Sequence, residues 1–165
     1  MSQTPPPPVI DSAKLLAYAV VDADIEYTDR ICLFVNEERL GKASRLAITA
    51  NYFIPGDILL EFCDDEWSCK GVIAHKSVEE AKAQAERGYR GISSKWVPSP
   101  YSEKDVADYL RDSYGIDPTT EWWKTMCSFC GKDIEEGRAF GSRNAVICEK
   151  CVSAFHSNLV TDGDV

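Results

Sequence analysis

Two short cysteine motifs near the C-terminus carry the most specific chemistry in the chain. Cys127-Ser128-Phe129-Cys130 and Cys148-Glu149-Lys150-Cys151 are C-x2-C knuckles with 17 residues between them. Two residues between ligands let the backbone curl until both sulfurs point at one metal about 2.3 Å away, and the returning loop delivers the second pair to complete a tetrahedron. Gly131, behind the first knuckle, permits the tight turn this needs. The pattern predicts one Zn2+ held by Cys127, Cys130, Cys148 and Cys151. Four thiolates leave no position for a substrate or an activated water, so the expected site is structural, and the metal supplies about 10 kcal/mol or more to a fold too small to stand unaided.

Other reactive residue types are sparse. Cys63-Asp64-Asp65-Glu66-Trp67 and Cys69 form a distinctive acidic stretch, read as a loop between two strands with Cys63 and Trp67 partly in the core. Its acids would raise a thiol pKa and work against a nucleophilic cysteine. The two histidines, His75 and His156, stand beside no serine or cysteine nucleophile pattern, and His75 falls at a strand end. His156 lies five residues beyond Cys151, which keeps the ligand role through its regular knuckle spacing. No G-x-x-x-x-G-K-[ST] loop occurs, so ATP is not expected as a ligand and no enzymatic activity is expected.

These residues must be positioned by elements that the pattern also marks. Ala19, Val21, Ala23, Ile25 and Tyr27 alternate with Val20, Asp22, Asp24 and Glu26, predicting a strand from Tyr18 to Tyr27. Further strands are expected at Ile31–Val35, Leu46–Ala50, Asp57–Cys63 and Gly71–Ala74, with turns at 36–41 and at Pro55-Gly56. Ser77-Val78-Glu79-Glu80 is a capping box that opens a helix to about Arg87, with Val78, Ala81 and Ala85 on its apolar face and Gly88 as its stop. Ser102 with Asp105 opens a second helix carrying Val106, Leu110 and Tyr114, ended by Gly115. Trp122-Trp123 then reads as a hinge packed before the cysteine cluster.

Composition narrows the partners. The formal net charge is −9, and four thiolates around one divalent cation would lower it by two more. Basic residues are interleaved with acids, so no phosphate-binding face and no nucleic acid are expected. Residues 1–11, with Pro5 to Pro8, read as a disordered proline-rich lead, without the charged start and apolar run of a signal and without the roughly 20 apolar residues of a membrane span. A cytoplasmic location is the resulting expectation, and there paired cysteines read as metal ligands rather than disulfides.

The stretch Cys127-Ser128-Phe129-Cys130-Gly131-Lys132, followed by Val146-Ile147-Cys148-Glu149-Lys150-Cys151-Val152, resembles the zinc-binding domain at the N-terminus of the ClpX protein-unfolding ATPases. The likeness covers about a fifth of the chain, here at its C-terminal end. It implies zinc binding, dimerisation, and recognition of adaptors or unfolded proteins. Phe129, Phe140, Val146 and Phe155, with Ile147 and Val152, exceed what so small a module buries alone. Their cover is a second copy, the N-terminal domain or a client chain.

The expected architecture is α+β: an antiparallel sheet of about four or five strands with two helices on one side over residues 12–118, then a C4 finger and a short acidic tail over 119–165. The expected function is a non-enzymatic zinc-binding interaction protein that dimerises, or binds unfolded proteins or Clp-type partners, through the finger. The alternative is a small acidic immunity- or antitoxin-like protein whose N-terminal domain captures one basic partner, favoured by the negative charge and the acids at 64–66.

Overall fold

A computed structural model describes residues 5–161 except 12, 32–33, 36–37, 53–55, 121–125, 128, 131, 133, 135–138 and 142–145. Cys32, Trp122, Trp123, Gly131 and the acidic tail lie outside the described residues, as does the side chain of Phe140. The chain divides into two compact units, Met1–Tyr114 and Gly115–Val165.

The first unit runs β1 (Val9–Ile10), β2 (Ala13–Val20), β3 (Glu26–Tyr27), β4 (Phe34–Val35), β5 (Glu38–Arg39), β6 (Arg45–Asn51), β7 (Ile58–Cys63), β8 (Cys69–His75), α1 (Val78–Gly88), β9 (Tyr89–Arg90), a 3-10 turn at Ile92–Ser94, β10 (Val97–Pro98) and α2 (Glu103–Tyr114). Its main sheet is antiparallel in the order β1-β2-β6-β7-β8. The outer edge of β2 is covered twice, by β1 opposite Ala13 and Lys14 and by β10 opposite Ala17 and Tyr18, which removes a long free edge. Pro8 contributes its carbonyl to the same edge, accepting from the Leu15 N–H at 3.0 Å.

Two cores form on the sheet. Ala17, Ala19, Leu46, Ile48, Leu60 and Phe62 meet Ala81 and Ala85 of α1, with Ile25, Ile31, Tyr89 and Ile92 closing the cluster. Ile10, Leu15, Ala47, Cys63 and Trp67 form the other, with Tyr18, Cys69 and Tyr101 at its margin. The neighbours Leu46 and Ala47 fall in different clusters, as the two-residue period of a strand dictates.

Several sequence expectations are met by local chemistry. The Glu80 N–H donates to Ser77 Oγ at 3.2 Å, capping α1, while the Glu80 carboxylate reaches back one residue further than the usual box, to the Lys76 N–H at 3.1 Å. Gly115 adopts φ +66 directly after α2, the left-handed stop that favours glycine. Gly56 turns at φ +96 between β6 and β7.

Others are corrected. The first long strand is Ala13–Val20, not Tyr18–Tyr27, because the chain turns at Asp22: its carboxylate accepts the Asp24 N–H at 3.1 Å and its carbonyl the Ile25 N–H at 3.3 Å. Gly88 is not a left-handed stop. It is the last residue of α1 and buried, and a Cβ there would fall 2.5 Å from Ile31 Cδ1, so glycine serves close packing. Among the described residues of the expected Ile31–Val35 strand, Phe34–Val35 pairs with Glu38–Arg39, while Ile31 enters the core; residues 32–33 lie outside the described residues.

The lead is not free from Pro6 onward. Pro6 is fully buried and its carbonyl accepts the Tyr101 hydroxyl at 2.6 Å, leading into the paired Val9–Ile10. The two helices also lie apart. α1 packs across β7 and β8, whereas α2 packs against β1, at the opposite edge of the sheet. No described helix is long and apolar enough to cross a membrane.

Candidate metal centre

In the second unit, β11 (Ala139–Gly141) and β12 (Val146–Cys148) form a hairpin in which Ala139 faces Cys148 and Gly141 faces Val146, and α3 (Glu149–Thr161) follows directly. At the first knuckle the Cys127 N–H donates to the Lys132 carbonyl at 2.9 Å. Cys148 ends β12, and Cys151 lies in the first turn of α3.

The fold brings the four cysteines together. Their sulfurs all lie within 4.8 Å of one another. Cys127 Sγ is 3.8 Å from Cys151 Sγ, and Cys130 Sγ is 3.9 Å from Cys148 Sγ. Four sulfurs each about 2.3 Å from one ion stand about 3.8 Å apart in a regular tetrahedron. The spacing therefore fits a C4 metal shell, and it is too wide for an S–S bond of about 2.0 Å.

The electrostatics are those of a thiol cluster that one charge cannot satisfy. Burial raises the Cys127 thiol, but the backbone N–H groups of Cys148, Cys130 and Phe129 outweigh it and bring it down to about 6; the first of these lies 3.3 Å from the sulfur. Cys151 is pushed up to about 12, by desolvation first and then by the sulfurs of Cys148, Cys130 and Cys127. One sulfur ionises readily and then opposes the ionisation of its neighbour. A divalent cation removes that conflict, since thiolates are the form that ligates.

Around the cluster, Phe129 and Phe155 are exposed at 58% and 46% and meet edge to face, with ring centroids 5.1 Å apart. Val146, Ile147 and Val152 are half-buried. His156 is exposed and falls outside the sulfur cluster.

In the first unit, the acidic stretch proves to be the β7–β8 turn. Asp64 Oδ1 accepts the Glu66 and Ser68 N–H groups, both at 2.9 Å, and Asp64 Oδ2 pairs with Lys70 at 2.9 Å. Trp67 is buried at φ +66, edge-on to Tyr18 with centroids 5.5 Å apart and with the Arg45 guanidinium 4.9 Å above its ring. The Cys63 thiol is pushed up, by the neighbouring Cys69 thiol first, then by burial and by Glu61; the same pairing lowers Cys69.

One group in this region escaped sequence reasoning. Glu61 is buried in the middle of β7, where burial pushes its carboxyl up to about 9. A glutamate on the inward-facing side of the run Ile58–Cys63 is the signal that could have marked it. Compared with protein-family models, with curated proteins and with solved structures, the chain matches none.

Proposed function

We propose that Cys127, Cys130, Cys148 and Cys151 hold one structural Zn2+ in a finger of the ClpX zinc-binding-domain type, and that this finger is the recognition module of a non-enzymatic interaction protein. The observation that carries the reading is the sulfur geometry, 3.8 and 3.9 Å across the cluster, beside the exposed Phe129–Phe155 pair. Zinc fixes the hairpin and α3 in advance, so less ordering entropy is lost when the aromatic pair is covered. The cover is a second copy of the finger or an unfolded or adaptor polypeptide. A closed tetrathiolate shell gives the metal no open position, in keeping with a binding role.

The test uses the reduced, zinc-loaded full chain. Sedimentation equilibrium reads self-association, and fluorescence anisotropy reads binding of a reduced and alkylated, permanently unfolded polypeptide. The double variant F129S/F155S removes two exposed rings, leaves the ligands in place, and is expected to keep its zinc while losing the association by tenfold or more. A zinc-loaded wild type that neither self-associates nor binds the unfolded chain contradicts the proposal.

A further inference from the structure

Away from the four-cysteine cluster, the sheet gathers three ligating groups from distant parts of the chain. Asp11 lies in the turn between β1 and β2, Glu61 in β7, and Cys69 opens β8. One ligand atom from each stands within 4.8 Å of the other two.

Glu61 is the member that calls for an explanation. It is 1% exposed and lies between Ala47 of β6 and Val72 of β8 in the ladder. Its Oε1 accepts the Thr49 hydroxyl, while its Oε2, equally buried, makes no hydrogen bond of ordinary geometry among the described residues, and the other polar side chain that faces the carboxyl is the Cys69 thiol. Leaving such an oxygen unpaired costs about 1–3 kcal/mol, and buried polar atoms in folded proteins nearly always have a partner. The Thr49 bond fixes the carboxyl plane in the way that ligating carboxylates are held by an outer partner. Asp11 is exposed and gives the cluster a side open to solvent, an entry path for an ion.

Cys63 stands directly opposite Cys69 in the ladder. The Asp64 N–H donates to the Ser68 carbonyl just outside this pair, which makes it a non-hydrogen-bonded pair, the closer of the two kinds. A second sulfur is therefore beside the cluster.

We infer that Asp11, Glu61 and Cys69 form a second metal site, separate from the finger, for a divalent cation of the Zn2+ class. Two carboxylates and a thiolate are too few and too soft a set for Ca2+ or Mg2+, which take six or more oxygens, and too hard a set for Cu(I). Zn2+ accepts all three ligand types, at about 2.0–2.2 Å for oxygen and 2.3 Å for sulfur. The fourth position of the tetrahedron falls to Cys63 or to water. Thr49 is a positioning residue that holds Glu61.

The test is a Zn2+ titration of the reduced full chain against a chromophoric chelator, repeated with Co2+ for its thiolate absorption. Two equivalents per chain are expected. Glu61→Gln and Cys69→Ser keep only the finger's equivalent, Cys127→Ser keeps only the other, and Thr49→Val weakens the second site by about 10–100-fold. Since Glu61 is buried, Asp11→Asn supplies a variant at an exposed turn, expected to weaken the second site tenfold or more at an unchanged melting temperature. A wild type that binds a single equivalent, or two equivalents retained by both Glu61→Gln and Asp11→Asn, overturns the inference.

Discussion

Tyr89→Phe tests the packing of the first unit through one atom. The Tyr89 hydroxyl accepts the Ala43 N–H at 2.9 Å, and both residues are buried. Phenylalanine keeps the ring against Tyr27 and Phe62, at centroid distances of 5.3 and 6.2 Å, and leaves the Ala43 N–H without its acceptor. A buried donor left unpaired costs about 1–3 kcal/mol, so the variant should be less stable by about 2 kcal/mol at pH 8. The pH dependence sharpens this. Burial pushes the Tyr89 phenol from 10.0 up to about 12, against a lowering by the Ala43 N–H. Between those values the unfolded chain releases the proton and the folded chain keeps it. The stabilisation is thus whole below pH 10 and falls by about 1.4 kcal/mol per unit as pH rises toward 12. Phenylalanine has no such proton, so the gap between wild type and variant should shrink by about 1.4 kcal/mol between pH 8 and 11. Urea unfolding of the full chain, read by hydrogen exchange on peptides from β6 and β7, confines the signal to the first unit. A variant within about 0.5 kcal/mol of wild type at pH 8, or a gap identical at pH 8 and pH 11, would refute the reasoning.

Two further outcomes follow from the packing of α1. Gly88→Ala should gain up to about 1 kcal/mol in helix propensity but lose more to the 2.5 Å approach to Ile31 Cδ1, for a net loss of about 1 kcal/mol; in an Ile31→Ala background the same change should become stabilising, a sign reversal that a double-mutant cycle by urea denaturation reads directly. Ser77→Ala removes the acceptor of the Glu80 N–H and should cost about 1 kcal/mol by the same denaturation, with the exchange of α1's first-turn amides accelerated before any other.

What was legible in the sequence was the chemistry that acts over a few residues. Ser77 caps α1 because a hydroxyl and a free N–H three residues on need nothing else, and the knuckles converge because two intervening residues set the curl. What was not legible depends on neighbours far away in the chain. Apart from Lys14, Ala13–Val20 carries apolar residues on both sides because cores form on both faces of the sheet, so alternation is hard to read there, while the apparent alternation through Asp22 and Asp24 is a turn held by the Asp22 carboxylate. Gly88 looked like a helix stop because glycine often is one, and only the position of Ile31 shows the other reason for it. Glu61 meets Asp11 and Cys69 through the register of separate strands, which a single sequence does not state.

Zinc content per chain, read together with its structural consequence, tests most directly whether the four cysteines hold one metal. Plasma emission spectrometry on the reduced, purified wild type and its Cys148→Ser variant, paired with hydrogen exchange of α3, should show the variant losing one zinc equivalent and the protection of α3 together, with the sheet of the first unit unchanged. A Cys148→Ser chain that keeps both its full zinc content and a protected α3 would contradict the account.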